Sequence, residues 1–536
     1  MFVKTLTDMG ITLSYHTIGF ILFFAAFILI YFVMQASLIR RGLILAANLF
    51  FYYYMSGIGA LVILIGTSLI VYFGSFMIGI IYINFERNTA EMTRKEKKAE
   101  LKGYKGRARI FLILSIVLVL AILLYVKIGG LMHFTRVTSV LDLRPGKLLV
   151  PLGLSYYTFS CIGYLLDIYW RKTRFDLNYF DLLTGMSYFP IIVQGPIANY
   201  GKLFKQFKKL PKFNFERVCF GLQRMIWGFF KKLVIADRLT MYSTTIFGSV
   251  GDYAGIEIII AAVFNALAIY ADFSGCMEIV IGASEVLGIT LEENFRQPFF
   301  ARTAAEFWRR WHITLGTWFK DYVYTPIAMS RFFMRRAMKA KERYGAFAAQ
   351  LAQGVIPLMV VWLLTGLWHG TGMDYIVWGL YWGVLIVLGM VFEPVSAALA
   401  SFFHTDREAP GYQFLQMART FVIFCIGRML TATGTLAGFG LAVERIFAEI
   451  RIWVLFDGSL FTHGLDQKDW YVAMFGILVM LIVDILHERS VQLRRTIASQ
   501  PLLFRWLLYI LPILFILVYG IYGAGYDATS FAYGGF

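Results

Sequence analysis

The chain has 536 residues, of which 59% are hydrophobic and only 15% charged. That balance excludes a soluble domain and fits an all-α polytopic membrane protein. The net charge is +17, and Lys and Arg cluster in loops between apolar stretches, so it reads as the positive-inside pattern rather than as nucleic-acid binding.

Apolar stretches lie near 15–34, 42–56, 60–84, 110–127, 148–169, 182–199, 219–247, 255–287, 352–368, 374–393, 416–440, 469–487 and 503–523. Several are too long or too broken for one simple crossing, so about a dozen crossings plus re-entrant pieces are expected in a single domain, 1–536. The opening "MFVKTLTDMG" has one Lys and no small-residue cleavage site, so no cleavable signal is expected. Arg40 and Arg41 follow the first span, and residues 86–109 carry nine Lys and Arg. Further basic runs occupy 171–174 ("RKTR"), 202–213, 331–343 and Arg489 to Arg495. All are expected in the cytoplasm, which puts both termini, and the tail 524–536, outside. Solvated loops are the default reading of these runs, although phosphate or an anionic lipid headgroup could bind them.

Polar residues interrupt the apolar pattern at four places. "YFPIIVQGPIANY" (188–200) reads as a broken helix satisfied by its neighbours or as a re-entrant segment lining a wet cavity. "YADFSGCMEIVIGASEVLGITLEENFRQPF" (270–299) places Asp272, Ser274, Glu278 and Glu285 along a helix-like stretch. "AEFWRRWHITLGTWFKDYVYTP" (305–326) puts Trp308, Trp311 and His312 on one helical face by i, i+3, i+4 spacing. It reads either as an interfacial helix with an aromatic belt or as a cationic vestibule, Arg309 and Arg310 taking phosphate and tryptophan stacking.

The fourth interruption is "TGLWHGTGMDY" (365–375). A histidine at membrane depth is costly unless it has a partner or a task. His369 is thus a core histidine or a neutral base walled by Trp368 and Trp378, with Gly366, Gly370 and Gly372 allowing close approach of a substrate. The histidines at 16, 133, 404, 463 and 487 fall at span ends or loops and read as interfacial or solvated. Cysteines at 161, 219, 276 and 425 form no CxxC, and no Walker A occurs, so neither a disulfide framework, a metal site nor ATP-driven pumping is expected.

Seven ordered stretches together resemble the membrane-bound O-acyltransferase (MBOAT) family, in its alginate O-acetyltransferase and teichoic acid D-alanyltransferase branch. They are "PLGLSYYTFSCIGYLLDIY" (151–169), "GPI" (195–197), "GFFKKLVIADR" (228–238), "YADFSG" (270–275), "ENFRQPF" (293–299), "EFWRRWHITLGTWFKDYVYTPI" (306–327) and "LTGLWHGTGMDYIVWGLYWG" (364–383). The resemblance is strongest over 150–400. It implies a helical disc pierced by a tunnel, with His369 as catalytic base and His312 as second functional histidine. Ser155, Tyr156, Trp308, Arg309, Arg310, Trp311, Trp368, Asp272, Ser274, Asn294 and Asp321 would line the donor path. Acetyl-CoA would be the acyl donor, with no bound cofactor and no metal.

The ending "FAYGGF" (531–536) resembles the FxYxxF tail of proteins that work with such enzymes, which makes Tyr533 a candidate acyl relay. An extracytoplasmic SGNH-type transferase would be the partner, an exported polysaccharide the acceptor, and the cytoplasmic membrane the location. "AMSRFFMRR" (328–336) departs from the alginate-type "GGNR" pattern, so the acceptor polymer stays open. D-Alanyl transfer from a carrier protein to teichoic acid is the alternative, and a lipid or polymer transporter without chemistry is a third reading.

Overall fold

The structure, a computed structural model, describes residues 12–129, 151–370 and 372–522. In chain order the helices are α1 Ile18–Val33, α2 Ser37–Asn88, α3 Arg94–Gly129, α4 Leu154–Tyr169, α5 Tyr179–Met186, α6 Phe189–Ile192 and α7 Tyr200–Phe207. Then come α8 Phe215–Phe229, a π-helix Phe230–Ala236, α9 Asp237–Gly248, α10 Gly255–Leu287, α11 Ala304–Arg310, α12 Ile313–Phe319, a π-helix Lys320–Tyr324 and α13 Thr325–Ala328. The remainder are α14 Arg331–His369, α15 Met373–Phe402, α16 Pro410–Ala432, α17 Leu436–Ala448, α18 Gln467–Glu488, α19 Leu493–Ala498 and α20 Leu502–Tyr519. Helices dominate because a chain this apolar must satisfy its backbone within each segment.

Eight of these helices, α2, α3, α10, α14, α15, α16, α18 and α20, are long and apolar enough to cross a membrane, and α1 is a shorter apolar helix. The protein is an integral membrane protein. Three expected spans fold differently. Residues 148–169 give the short α4, 182–199 give α5 and α6 of eight and four residues, and 219–247 give α8, a π-helix and α9. Two long helices are also broken by a glycine in the left-handed region, α2 at Gly57 (φ 76°) and α14 at Gly345 (φ 85°). Glycine takes such angles at little cost.

The described residues divide into two compact units, one of residues 12–129, 151–225 and 279–292, the other of 226–278, 293–370 and 372–522. In the first, the broken stretch around 188–193 is the core. Phe189 is fully buried against Phe23, Phe27 and Phe51 at ring distances of 5.5, 5.5 and 5.7 Å. Its backbone N–H and C=O, and the carbonyl of Thr184, find side chains. Asn48 Oδ1 accepts from Phe189 N at 2.9 Å, Asn48 Nδ2 donates to Thr184 O at 3.0 Å, and Tyr15 Oη donates to Phe189 O at 2.6 Å. The neighbours thus replace the missing helix bonds.

In the second unit, polar side chains pin the helices. Lys232 Nζ is buried 2.7 Å from Asp272 Oδ1 and 2.8 Å from Asp237 Oδ1, while Lys231 Nζ donates to Ser274 Oγ at 3.0 Å. Tyr270 Oη donates to Asp484 Oδ2 at 2.9 Å, tying α10 to α18.

Replacing Asn48 by Ala strands the Phe189 N–H and the Thr184 carbonyl. Two buried unmet groups cost roughly 2–5 kcal/mol together, so the thermal midpoint in detergent falls by several degrees. A wild-type midpoint would show that water replaces the carboxamide.

Candidate active site

The segment around His312 begins with a capped helix. Thr303 Oγ1 accepts from Glu306 N at 3.1 Å, and Glu306 Oε2 accepts from Arg302 N at 2.9 Å, which starts α11 at Ala304. The helix stops at Arg310. Trp311 is extended and pairs with Phe295 in an isolated antiparallel bridge, and His312 is left-handed, with φ 47° and ψ 52°. Arg296 N donates to Arg310 O at 2.9 Å and Ile313 N to Asn294 O at 3.0 Å. The expected single helical face of Trp308, Trp311 and His312 is therefore corrected: backbone pairing with 294–296 outcompetes helix continuation.

That kink turns His312 into the interior. The residue is 3% exposed. Its Nδ1 lies 3.4 Å from Asn294 Oδ1, which also accepts from Thr314 N at 3.0 Å and from Thr314 Oγ1 at 2.7 Å. Phe273 packs edge-on against the imidazole at 4.8 Å, and Trp368 lies 6.1 Å away. His312 sits outside the eight spanning helices, and burial pushes its pKa down from 6.5 to about 3, so the ring is neutral.

His369 ends α14 and is 5% exposed. Its ring meets Trp368 at 4.7 Å and Trp378 edge-on at 4.9 Å. The two histidines thus lie near one indole, that of Trp368. Behind them stands an aromatic wall in which Trp308 contacts Trp362 at 4.9 Å, Trp382 at 5.1 Å and Trp378 at 5.7 Å. The indole N–H groups of Trp308 and Trp378 are buried without an acceptor among the described residues.

Other expected residues have structural tasks. A Cβ at Gly366 would stand 2.5 Å from Tyr375 O and 3.4 Å from Gly379 Cα, so this glycine serves the approach of α14 to α15 and leaves no room there for a substrate. A Cβ at Gly370 would meet the Tyr375 ring at 2.3 Å, and one at Gly372 would meet Asp374 Oδ1 at 2.1 Å. Arg310 is engaged by Glu488, at 2.7 and 3.0 Å, and by Glu306 at 2.8 Å, so it is no open phosphate ligand, whereas Arg309 is exposed. Trp311 is buried against Phe295 and Phe424, each at 5.0 Å, as core. Asp272 and Ser274 hold Lys232 and Lys231. Asp321 is half-buried on its π-helix.

Ser155 and Tyr156 are buried in the first unit. Tyr533 lies outside the described residues. His16 is buried rather than solvated, and His463 Nε2 lies 2.6 Å from Glu257 Oε1. Sequence reasoning missed Phe273, Trp362 and Trp382 as parts of the site. Phe273 was within reach, since it sits inside "YADFSG" between the two polar residues that had drawn notice.

The His312 pKa sets a pH dependence. Between about 3 and 6.5 an unfolded chain binds the proton and the folded one does not. The ring's contribution to stability is complete above about 6.5 and is lost as pH falls toward 3. Thermal midpoints measured from pH 7.5 to 4 should fall less steeply in His312→Gln than in wild type. Parallel curves would mean that the buried ring is not what acid attacks.

Residues 148–340 match the model of the MBOAT, membrane-bound O-acyltransferase, family. His312 falls inside this match and His369 beyond it. Over 292 residues the chain is 31% identical to the probable alginate O-acetylase AlgI of Pseudomonas aeruginosa, covering 53% of this chain and 52% of that one. It is 29% identical over 265 residues to a peptidoglycan O-acetyltransferase of Helicobacter pylori, 45% of this chain and 47% of the relative. A teichoic acid D-alanyltransferase of Bacillus subtilis is 28% identical over 251 residues, 46% of this chain and 61% of the relative. The chain thus spans about half the length of most of these relatives. Over residues 148–340 the chain is therefore similar to the membrane-bound O-acyltransferase family.

Proposed function

We propose that this protein transfers an acyl group, acetyl from cytoplasmic acetyl-CoA, across the membrane for O-acetylation of an exported or cell-surface polysaccharide. The observation that carries the reading is the pair of buried imidazoles, His312 and His369, both beside the indole of Trp368. A buried neutral histidine is a free base near neutral pH. His369 would take the proton of the acceptor hydroxyl as its oxygen attacks the thioester carbonyl. The carbon–sulfur bond then breaks, and the departing thiolate takes that proton from the imidazolium. The buried N–H groups of Trp308 and Trp378 are donors on hand for the oxygen that gains charge.

His312 has a different part. Asn294 Oδ1 is an acceptor facing Nδ1, which favours the tautomer with its proton on Nδ1 and a lone pair on Nε2. Such a ring receives a hydrogen bond from the donor and positions it. Arg309, exposed and clear of the Glu306–Arg310–Glu488 ion pairs, is the arginine best placed to meet a donor phosphate.

Beyond the membrane, the acyl group would pass by way of Tyr533 to an SGNH-type transferase acting on the polymer. The named relatives support both acetyl and D-alanyl chemistry. Thiol release from acetyl-CoA supports the first, and consumption of a D-alanylated carrier protein the second.

The reading is tested by acyl-ester content of the surface polymer and thiol release at matched membrane expression. His369→Ala should lose roughly 10²–10⁴-fold, the usual worth of a general base. Retained activity in a folded His369→Ala protein would end the catalytic assignment. For the relay, Tyr533→Phe should abolish polymer acylation while thiol release to a small alcohol persists, and unchanged polymer acylation would rule Tyr533 out as carrier.

A further inference from the structure

Two basic runs, 171–174 and 202–213, are separated by nearly thirty residues of sequence. In the first unit the loop after α4 and the helix α7 bring parts of both to one cavity of about 410 Å³. Arg171, Lys172, Arg174, Lys205 and Lys208 line it, with Asp176 as the one carboxylate, so five cations against one anion leave a formal charge of +4. The close approach of loop and helix depends on Gly201, where a Cβ would stand 2.7 Å from Thr173 Oγ1.

Three of the cations are held by carboxylates. Lys208 Nζ is 2.7 Å from Asp176 Oδ2, Arg171 Nη2 is 2.6 Å from Glu86 Oε1, and Lys172 Nζ is 3.8 Å from Asp167 Oδ1. Arg174 and Lys205 are exposed and form no ion pair among the described residues. These two cations have no carboxylate to offset them, and an anion at the cavity supplies that counter-charge. Guanidinium and ammonium groups around a small cavity suit phosphate oxygens.

Along the chain, exposed apolar side chains follow the cavity's two segments. Leu177 and Phe180, just beyond Asp176, are 70% and 63% exposed, and Phe213 and Phe215, at the end of the second run, are 58% and 66% exposed. A soluble phosphate has no use for such flanks. A lipid does, since its headgroup meets the cations while its chains lie along exposed apolar surface. The positive-inside pattern puts these runs at the cytoplasmic leaflet, where anionic headgroups attract clustered Lys and Arg.

We propose that the Arg171–Arg174 loop and α7 form a binding site for the phosphodiester headgroup of an anionic phospholipid. The proposal goes beyond acyl transfer and stands or falls without it.

The test uses the full-length protein in detergent, titrated with phosphatidylglycerol or phosphatidylcholine and read by native mass spectrometry. Wild type should retain phosphatidylglycerol in preference to phosphatidylcholine. Each cation beside an anionic headgroup is worth about a five-fold factor, so R174Q/K205Q should weaken phosphatidylglycerol retention on the order of twenty-five-fold, and K205Q alone should give an intermediate loss. An R335Q/R336Q control in a different basic run should match wild type, and thermal midpoints confirm that all variants are folded. Millimolar inorganic phosphate or ADP should not displace the lipid. Equal retention of the two lipids, or equal loss in the control, would overturn the proposal. Binding of phosphate or ADP that R174Q/K205Q abolishes, with no lipid preference, would assign the cavity to a soluble anion and overturn it as well.

Discussion

One carboxamide oxygen shapes the histidine loop. Asn294 Oδ1 accepts from both the backbone and the hydroxyl of Thr314 and faces His312 Nδ1. A buried polar group without such partners would cost more than the loop gains from ordering. Once they are in place, residues 293–297 and 310–313 lie side by side, and a non-glycine residue can be kept left-handed against its preference. Asn294 Nδ2 in turn lies 3.1 Å from Met277 Sδ, one turn along α10 from the Phe273 that packs on the imidazole. The same helix is anchored by Asp272 on Lys232. The ring is thus aimed by a chain of contacts running back to a buried ion pair, and a buried ion pair is retained more readily for geometry than for net stability.

The second histidine is aimed by packing. Aromatic rings prefer edge-to-face contacts, and Trp378 presents that geometry to His369 at an interplanar angle of 81°. Four tryptophans can gather there because α14 and α15 come close. Gly366 and Gly379 face each other across the contact, and a Cβ on Gly379 would stand 2.4 Å from Trp362 O. The missing side chains set the helix spacing, and the helix spacing places the tryptophans.

Much of this was legible in the sequence, for identifiable reasons. Apolar runs and basic loops announce a membrane protein because both report a local solvent. Motif order and the cost of a polar ring at depth single out His312 and His369, and both are buried near Trp368. The break at 188–200 was legible because Pro and Gly act locally. What could not be read was set by residues far apart in the chain. Nothing near Arg310 says that its helix must stop there, since the reason is Phe295. Nothing near Asp272 says that its charge is matched by Lys232, forty residues earlier. The glycines beside His369 looked like room for a substrate because sequence shows the missing side chain and hides the neighbour that occupies its place.

The bend at Gly345 has a consequence for how this chain fits a bilayer. A straight helix of 39 residues would measure about 58 Å at 1.5 Å per residue, roughly twice the ~30 Å hydrocarbon layer. Its first part, "RFFMRRAMKAKERY", is too basic to enter that layer. The stretch after Gly345 measures about 36 Å, which a modest tilt accommodates. One residue without a side chain therefore matches the helix to the thickness of its solvent. It also sets the depth of His369, because the imidazole at the far end of the apolar stretch sits wherever that length carries it.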